Sequence, residues 1–360
     1  MSKYEARLES DLAHIREKLA HLGEAVESAL KNASRALFTA EEELAYKVIL
    51  GDFPINRASR ELDKICHGFF AVHLPSAGHL RFISSVMRAN LELERIGDYA
   101  VNICREAVQI GPPPEGILGQ QMEVMAREVQ DILGKAIAAF NGADPALARS
   151  EIEQASQVTR GFDAVFKNLV NAEGKIGVRE LLCYLVIFNM FSRVADQAKN
   201  ICEETVFAVT GQTKPPKSYR VLFLDEDNST LGPMAEAIAR NLFPQSGEYK
   251  SAGRQAAAVM NPHLIRFMDE CGAEFGSQSP QQLKADHELV DYHVLISLQG
   301  AVKSYIESVP FHTIALEWEV GEAPVGPDLA ATRDQFEVLY RTLALQVRGL
   351  MMSLCGGEGS

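Results

Sequence analysis

Apolar positions in the first 210 residues recur at helical spacing. Ile15, Leu19, Leu22, Val26, Leu30 and Leu37 fall along one long helical stretch. Almost no alternating strand pattern occurs in this region, and Gly-Pro-Pro-Pro at 111–114 breaks it in the middle. Past residue 218 the pattern changes. The apolar run 221–224 reads as a strand, a short polar loop follows, and a helix is expected to open at about Pro233. The segment 332–352 is amphipathic, with Phe336, Leu339, Leu343, Val347 and Leu350 on one face, and is assigned to packing on a sheet. Between the two regimes, the Pro-rich stretch 211–218 should end the last helix of the first region and act as a semi-rigid spacer. The expected organisation is an all-α bundle over 1–210, a linker over 211–218, an α/β domain over 219–353 and a frayed tail over 354–360.

The helical region contains the same phrase twice. Glu94-Arg95-Ile96-Gly97-Asp98 leads to Asn102-Ile103-Cys104-Arg105-Glu106, and Ser192-Arg193-Val194-Ala195-Asp196 leads to Asn200-Ile201-Cys202-Glu203-Glu204. A constant offset of 98 relates the two copies, the mark of an internal repeat. Two three-helix repeats, about 1–110 and 117–210, are expected to pack into one six-helix bundle. Residues four apart lie one turn apart on one helix face, so Glu94, Asp98 and Asn102 form an oxygen-rich stripe. Such a stripe holds a cation if another helix adds ligands; otherwise it is a solvated face with Glu94 paired to Arg95 or Arg105. In the second copy Ser192 replaces the glutamate, which weakens any site around Asp196. Arg95 and Arg193 are assigned a structural role, neutralising carboxylates and orienting helices.

These phrases resemble the paired signatures of the PhoU family of bacterial phosphate-uptake regulators, in which each repeat carries Glu-Arg-Ile-x-Asp followed by Asn-Ile. Leu74-Pro75-Ser76-Ala77-Gly78-His79-Leu80-Arg81 is similar to a second family stretch, with His79 in place of an aspartate. The resemblance covers about 1–210. It implies a regulator of phosphate uptake and phosphate signalling that acts through protein contacts. The implied partners are the phosphate transporter's ATPase subunit or a phosphate sensor histidine kinase. It further implies iron, zinc or another divalent metal at Glu94, Asp98 and Asp196, since family members bind metal clusters through such pairs.

A strand, a tight loop and a helix N-terminus together suit an anion, because free N–H groups and the helix dipole favour negative charge. Here the loop carries Asp225, Glu226 and Asp227 instead. The stretch resembles the phosphate loop of low-molecular-weight protein tyrosine phosphatases and the related arsenate reductases, which implies an α/β three-layer domain with a parallel sheet. Asn228, Pro233, Met234, Ala235 and Glu236 fit that pattern. Asp225 stands where the family has its nucleophilic Cys, Leu231 where it has Arg, and Gly232 where it has Ser. Ser251-Ala252-Gly253, the segments 268–272 and 277–283, and the run 294–298 follow in the family's order. Glu322-Ala323 occupies the place of its general-acid Asp-Pro pair. Thiolate catalysis needs a low-pKa sulfur and a cationic fork, and the matched positions carry neither. The loop is therefore read as degenerate, and one of its carboxylates is expected to sit near the N–H groups that open the Pro233 helix. A rival reading takes Asp225-x-Asp227-x-Ser229 as the start of a haloacid-dehalogenase-type aspartyl phosphatase using a metal.

Composition bounds the rest. Of 360 residues, 47% are hydrophobic and 23% charged, an ordinary globular balance for two or three domains. Net charge is −13; residues 1–210 carry 23 basic and 29 acidic side chains and the remainder 12 and 19. Both regions are acidic, and neither offers the basic face that nucleic acid demands. Six cysteines without C-x-x-C spacing read as buried free thiols in a reducing compartment. No N-terminal signal pattern and no apolar run of membrane-spanning length occurs, so a cytoplasmic protein without direct membrane insertion is expected. Trp318, the single tryptophan, is assigned to the core or a sheet edge, with walling of a ligand pocket as the alternative. The histidines, His79, His287 and His293 among them, make no metal-ligand pattern. A homodimer is a further expectation. Three classes compete: a non-enzymatic regulator, an enzyme acting through Asp225 with a metal, and a metal-binding protein built on the helical stripes.

Overall fold

Long apolar stripes with few breakers give six helices: α1 (Lys3–Thr39), α2 (Glu42–Val72), α3 (Ala77–Ile110), α4 (Ile117–Asn141), α5 (Pro145–Asn171) and α6 (Val178–Thr210). In this computed structural model the described residues are 3–111, 113, 115–172, 176–214, 217–272, 279–283 and 286–356, the side chains of 163 and 286–288 apart. They divide into two units, Met1–Lys214 and Pro215–Ser360. Pro112, Pro114, Pro215, Pro216, Ser277, Gln278 and 357–360, on which portions of the break, linker, loop and tail assignments fall, lie outside the described residues, as does the His287 side chain.

Helix ends in the first unit follow from local chemistry. Ser76 caps α3 by accepting from His79 N–H. Asp144 caps α5 through two N–H groups, with Pro145 at the first helical position. Gly211, at φ +73°, closes α6, a left-handed conformation that glycine adopts without strain. In each repeat the three helices pack on one another; α3 packs against α6 and α1 against α4, so the repeats share one core. Ile15, Val26, Leu30, Ile83, Ile96, Phe188 and Phe191 are fully buried there, each contributing roughly 1.5–3 kcal/mol. The duplication extends beyond the signature phrases. Glu42 and Pro145 open α2 and α5, and Ala40 and Ala143 both sit at positive φ in the turns before them. Positions in α2 and α5 thus correspond at a spacing of 103.

The second unit is an α/β fold with strands β1 (Tyr219–Asp225), β2 (Gly247–Gly253), β3 (Val294–Ser297) and β4 (Ile314–Glu317), and helices α7 (Leu231–Leu242), α8 (Pro262–Glu270) and α9 (Leu329–Cys355). The sheet is wholly parallel, in the order β2-β1-β3-β4. Both faces of β1 are apolar because both are covered. Val221 and Phe223 pack with α7, α8 and α9 through Met234, Ile238, Phe267 and Phe336. Leu222 and Leu224 pack with Leu295, Val302 and Ile306 on the other face. Trp318 is buried in the first of these layers, 6.0 Å from Phe223.

Helices α7 and α9 differ at their ends from the sequence expectation, α9 opening at Leu329 behind an Asp328 cap. Helix α7 opens at Leu231, two residues before Pro233, since proline is tolerated in a first turn where its missing N–H has no helical partner. Helix α9 runs through Leu354 and Cys355, because nothing interrupts it before Gly356 at φ +70°. The chain leaves β1 toward β2 and later crosses to β3 on its other side. The crevice of such a sheet lies at this switch point, outside the carboxyl ends of the strands, where residues 225–230 sit.

Candidate functional site

Asp225 ends β1 and is 1% exposed. Its Oδ1 accepts from Asn228 N–H at 2.9 Å, and its Oδ2 accepts from Gly232 N–H, in the first turn of α7, at 2.8 Å. The side chain thus occupies N–H groups that a bound anion would use, the arrangement expected of this loop. Burial pushes its carboxyl up to about 6 and Asp227 adds to the rise, while the N–H groups of Gly232 and Asn228 oppose it. Asp227 turns outward; its carboxylate accepts from the N–H and Oγ of Ser229 at 2.9 Å each.

Carbonyls of the loop are tied as well. Those of Asp225, Glu226, Asp227 and Ser229 accept from the N–H groups of Arg254, Gln255, Ala257 and Asn261. Asn228 stands at φ +52°, and its Oδ1 accepts from Gln281 N–H at 2.7 Å. A Cβ on Gly232 would meet Asn228 Nδ2 at 2.8 Å and Asp225 Oδ1 at 3.1 Å, so glycine is demanded by the close approach of the loop to itself. Leu231 is 2% exposed and belongs to the core. Glu322 is exposed beyond β4, and none of these loop hydrogen bonds involves it. The adjoining cleft, about 540 Å³, is lined by Asn228, Glu236, Arg240 and Ser251 but not by Asp225. Glu236 is occupied there, pairing with Arg240 and accepting from Ser251 Oγ at 2.7 Å.

In the first helical repeat, Glu94 and Asp98 of α3 are joined by Asp52 of α2. Burial and the neighbouring carboxylates raise the Glu94 carboxyl, and burial and Asp98 raise that of Asp52. Asp52 Oδ2 accepts from Asn56 Nδ2, while Asp52 Oδ1 and Asn56 Oδ1 are buried without hydrogen-bond partners. Arg95 pairs with Glu92 at 3.3 Å and Arg105 with Asn102 at 3.3 Å, and the positive charges of Arg95 and Arg60 oppose the rise at Glu94 as that of Arg105 does at Asp52. Sequence reasoning missed Asp52 and Asn56. Their signal was an Asp/Asn pair four apart on α2, flanking Pro54. An all-oxygen set of this kind suits a hard cation better than zinc. As the side chains stand, no group of three or more His, Cys, Asp or Glu among the described residues is arranged to hold a metal ion.

The second repeat dismantles the same corner. On the spacings of 98 and 103, Ser192 replaces Glu94, Ala155 replaces Asp52 and Thr159 replaces Asn56. Asp196 accepts from Thr159 Oγ1 at 3.1 Å and lies 3.8 Å from Arg193. Lys199, at the position of Val101, donates to Ser156 Oγ at 2.9 Å. The single carboxylate of Asp196, with the hydroxyls of Thr159 and Ser192, thus stands where the first repeat has three carboxylates and Asn56. Of the six cysteines, Cys66, Cys104, Cys183 and Cys202 are buried free thiols, Cys271 is exposed and Cys355 half-buried. Burial pushes the thiols of Cys66, Cys104 and Cys202 up to about 12. No helix among the described residues is long and apolar enough to cross a membrane.

A family model described as "PhoU domain" matches residues 19–107 and 122–205. The chain is 30% identical over 207 residues to the phosphate-specific transport system accessory protein PhoU homolog of Pseudomonas aeruginosa, covering 56% of this chain and 85% of that protein. The crystal structure of PhoU from Pseudomonas aeruginosa superposes with a TM-score of 0.55 at 30% identity, covering 57% of this chain and 99% of that one. An arsenate reductase in the phosphate binding state is similar at 23% identity and a TM-score of 0.30, covering 38% of this chain and 98% of that one.

Proposed function

As the chain belongs to the PhoU family, we propose that it regulates phosphate uptake and phosphate-responsive signalling through protein contacts, and that its α/β unit is a catalytically silent relative of the phosphatase fold. The observation that carries the second half is the Asp225 carboxylate, which holds two N–H groups of its own loop and leaves no sulfur or cationic fork for a phosphoryl group. The aspartyl-enzyme reading is disfavoured by the same geometry, since both oxygens of Asp225 are committed and the side chain is 1% exposed. The partners are the phosphate transporter's ATPase subunit or a phosphate sensor histidine kinase. A divalent cation or iron is proposed for the corner of Asp52, Asn56, Glu94 and Asp98, where two buried oxygens lack partners; Asp196 would hold such an ion less well. Deleting the gene should raise phosphate-starvation gene expression in phosphate-rich medium, and the full chain should restore control. An unchanged response in the deletion strain would overturn the proposal.

A further inference from the structure

The groove between α4 and α5 carries a buried carboxylate with one oxygen that the fold leaves without a partner. Glu151 is 4% exposed. Its Oε1 lies 3.4 Å from Ser150 Oγ and 3.7 Å from Lys135 Nζ, while its Oε2 is buried with no hydrogen-bond partner. Lys135 is itself held 2.6 Å from Asp131, so its neutralisation of Glu151 is incomplete. The duplication shows what this position otherwise holds. At the spacing of 103, Ala45, Val48, Ile55 and Leu62 of α2 stand where Ala148, Glu151, Val158 and Val165 stand in α5, and all eight are buried. The first repeat fills with valine the place where the second keeps a carboxylate. A buried acceptor without a partner is destabilising and valine is not. Departures of this kind from a local packing rule concentrate at functional positions.

The surroundings say what would satisfy it. The groove encloses about 450 Å³ and runs from Ile117 to Lys135 on α4 and from Glu151 to Val165 on α5. At the rise of a helix that is roughly 21–27 Å, a channel for a chain segment more than a cavity for a small molecule. Its floor is apolar, through the buried Met125, Ile132 and Val158, with Ile117 and Val124 exposed at one end and glutamines along the rim. Its charges are three acids, Glu128, Asp131 and Glu151, against the single base Lys135. The corresponding groove between α1 and α2 has the opposite balance, with Lys18, His21 and Lys47 against Glu61. A second copy of this chain, at net charge −13, is a poor electrostatic match for an acidic groove.

We propose that the α4–α5 groove docks an amphipathic helix of a partner protein, its apolar face on Met125, Ile132 and Val158 and one arginine or lysine reaching Oε2 of Glu151. This rests on the reading of the chain as a regulator acting through protein contacts, but its test can fail while the gene-deletion result stands.

The full chain is immobilised and screened with a phage-displayed library of 18-residue amphipathic helices, with positions flanking the apolar face randomised. Selected sequences should be enriched in arginine or lysine at one flanking position. Synthetic peptides of those sequences should bind the Glu151→Val chain about tenfold more weakly or worse. Glu151→Val restores the residue of the other repeat, so the variant should fold and melt no lower than the parent chain. Met125→Glu should weaken the same peptides. No selected binders, binders without a basic position, or binders that Glu151→Val holds as well as the parent chain would each overturn the proposal. So would self-association of the chain that the selected peptides displace, since the groove would then belong to a second copy.

Discussion

Asp225 carries two opposed demands in one side chain. Its carboxylate suits the N–H groups of Asn228 and Gly232, yet burial favours its neutral form and lifts it from an ordinary 3.8 to about 6. The native state therefore holds this proton more tightly than the unfolded chain does. The resulting stabilisation is complete below about pH 4 and is lost as pH rises through about 6, an effect of roughly 2–3 kcal/mol. Trp318 is the only tryptophan and lies in the core of the α/β unit, so its fluorescence follows that unit alone. Urea unfolding read at Trp318 should show the Asp225-dependent slope between pH 4 and 6, and Asp225→Asn should flatten it. Gly232→Ala should lower the same midpoint, by roughly 1–3 kcal/mol of stability, because the added methyl meets Asn228 and Asp225 inside a loop closed on itself. Phosphate at millimolar concentration should not raise the midpoint of the parent chain, since its anion site is occupied from within.

At the scale of elements, duplication followed by divergence is the main feature of the helical unit. Helices α2 and α3 bring Asp52, Glu94 and Asp98 together, whereas α5 and α6 bring Thr159 to Asp196 at the equivalent corner. Burial first, and then the neighbouring carboxylates, raise the Asp52 and Glu94 carboxyls in the first corner, whereas the second holds the single carboxylate of Asp196. A cation should accordingly bind the first corner in preference. Protein loaded with Mn²⁺ or Fe²⁺ and desalted should lose more metal on Asp98→Ala than on Asp196→Ala, measured by elemental analysis. Asp52→Ala should behave like Asp98→Ala. Equal loss from Asp98→Ala and Asp196→Ala would remove the asymmetry.

The whole molecule divides into a helical unit and an α/β unit, which can be tested apart. The helical unit carries the family match, and the α/β unit carries a loop whose Asn228 and Gly232 N–H groups are held by its own Asp225. Expression of residues 1–210 in the deletion strain should therefore restore some of the phosphate response. The full chain carrying Asp225→Asn should restore it as the parent chain does if the loop contributes no chemistry. Failure of residues 1–210 to restore any control, with the fragment folded by circular dichroism, would assign the regulatory contact to the α/β unit.

Much of this was legible in the chain. The helical character follows from periodicity, the repeat and with it the count of six helices from a constant offset, and the strand, loop and helix start from one apolar run and its polar loop, because these signals are local. The self-liganding of the Asp225 loop was foreseen for the same reason: the carboxylate and the N–H groups lie within eight residues. What sequence could not supply was contact between distant segments. Asp52 and Asn56 join Glu94 and Asp98 only because α2 packs on α3, and Thr159 meets Asp196 only because α5 packs on α6. Glu151 reads in sequence as one more solvated acid on an amphipathic helix. Packing of α4, α5 and α6 is what buries it and leaves its Oε2 without a hydrogen-bond partner.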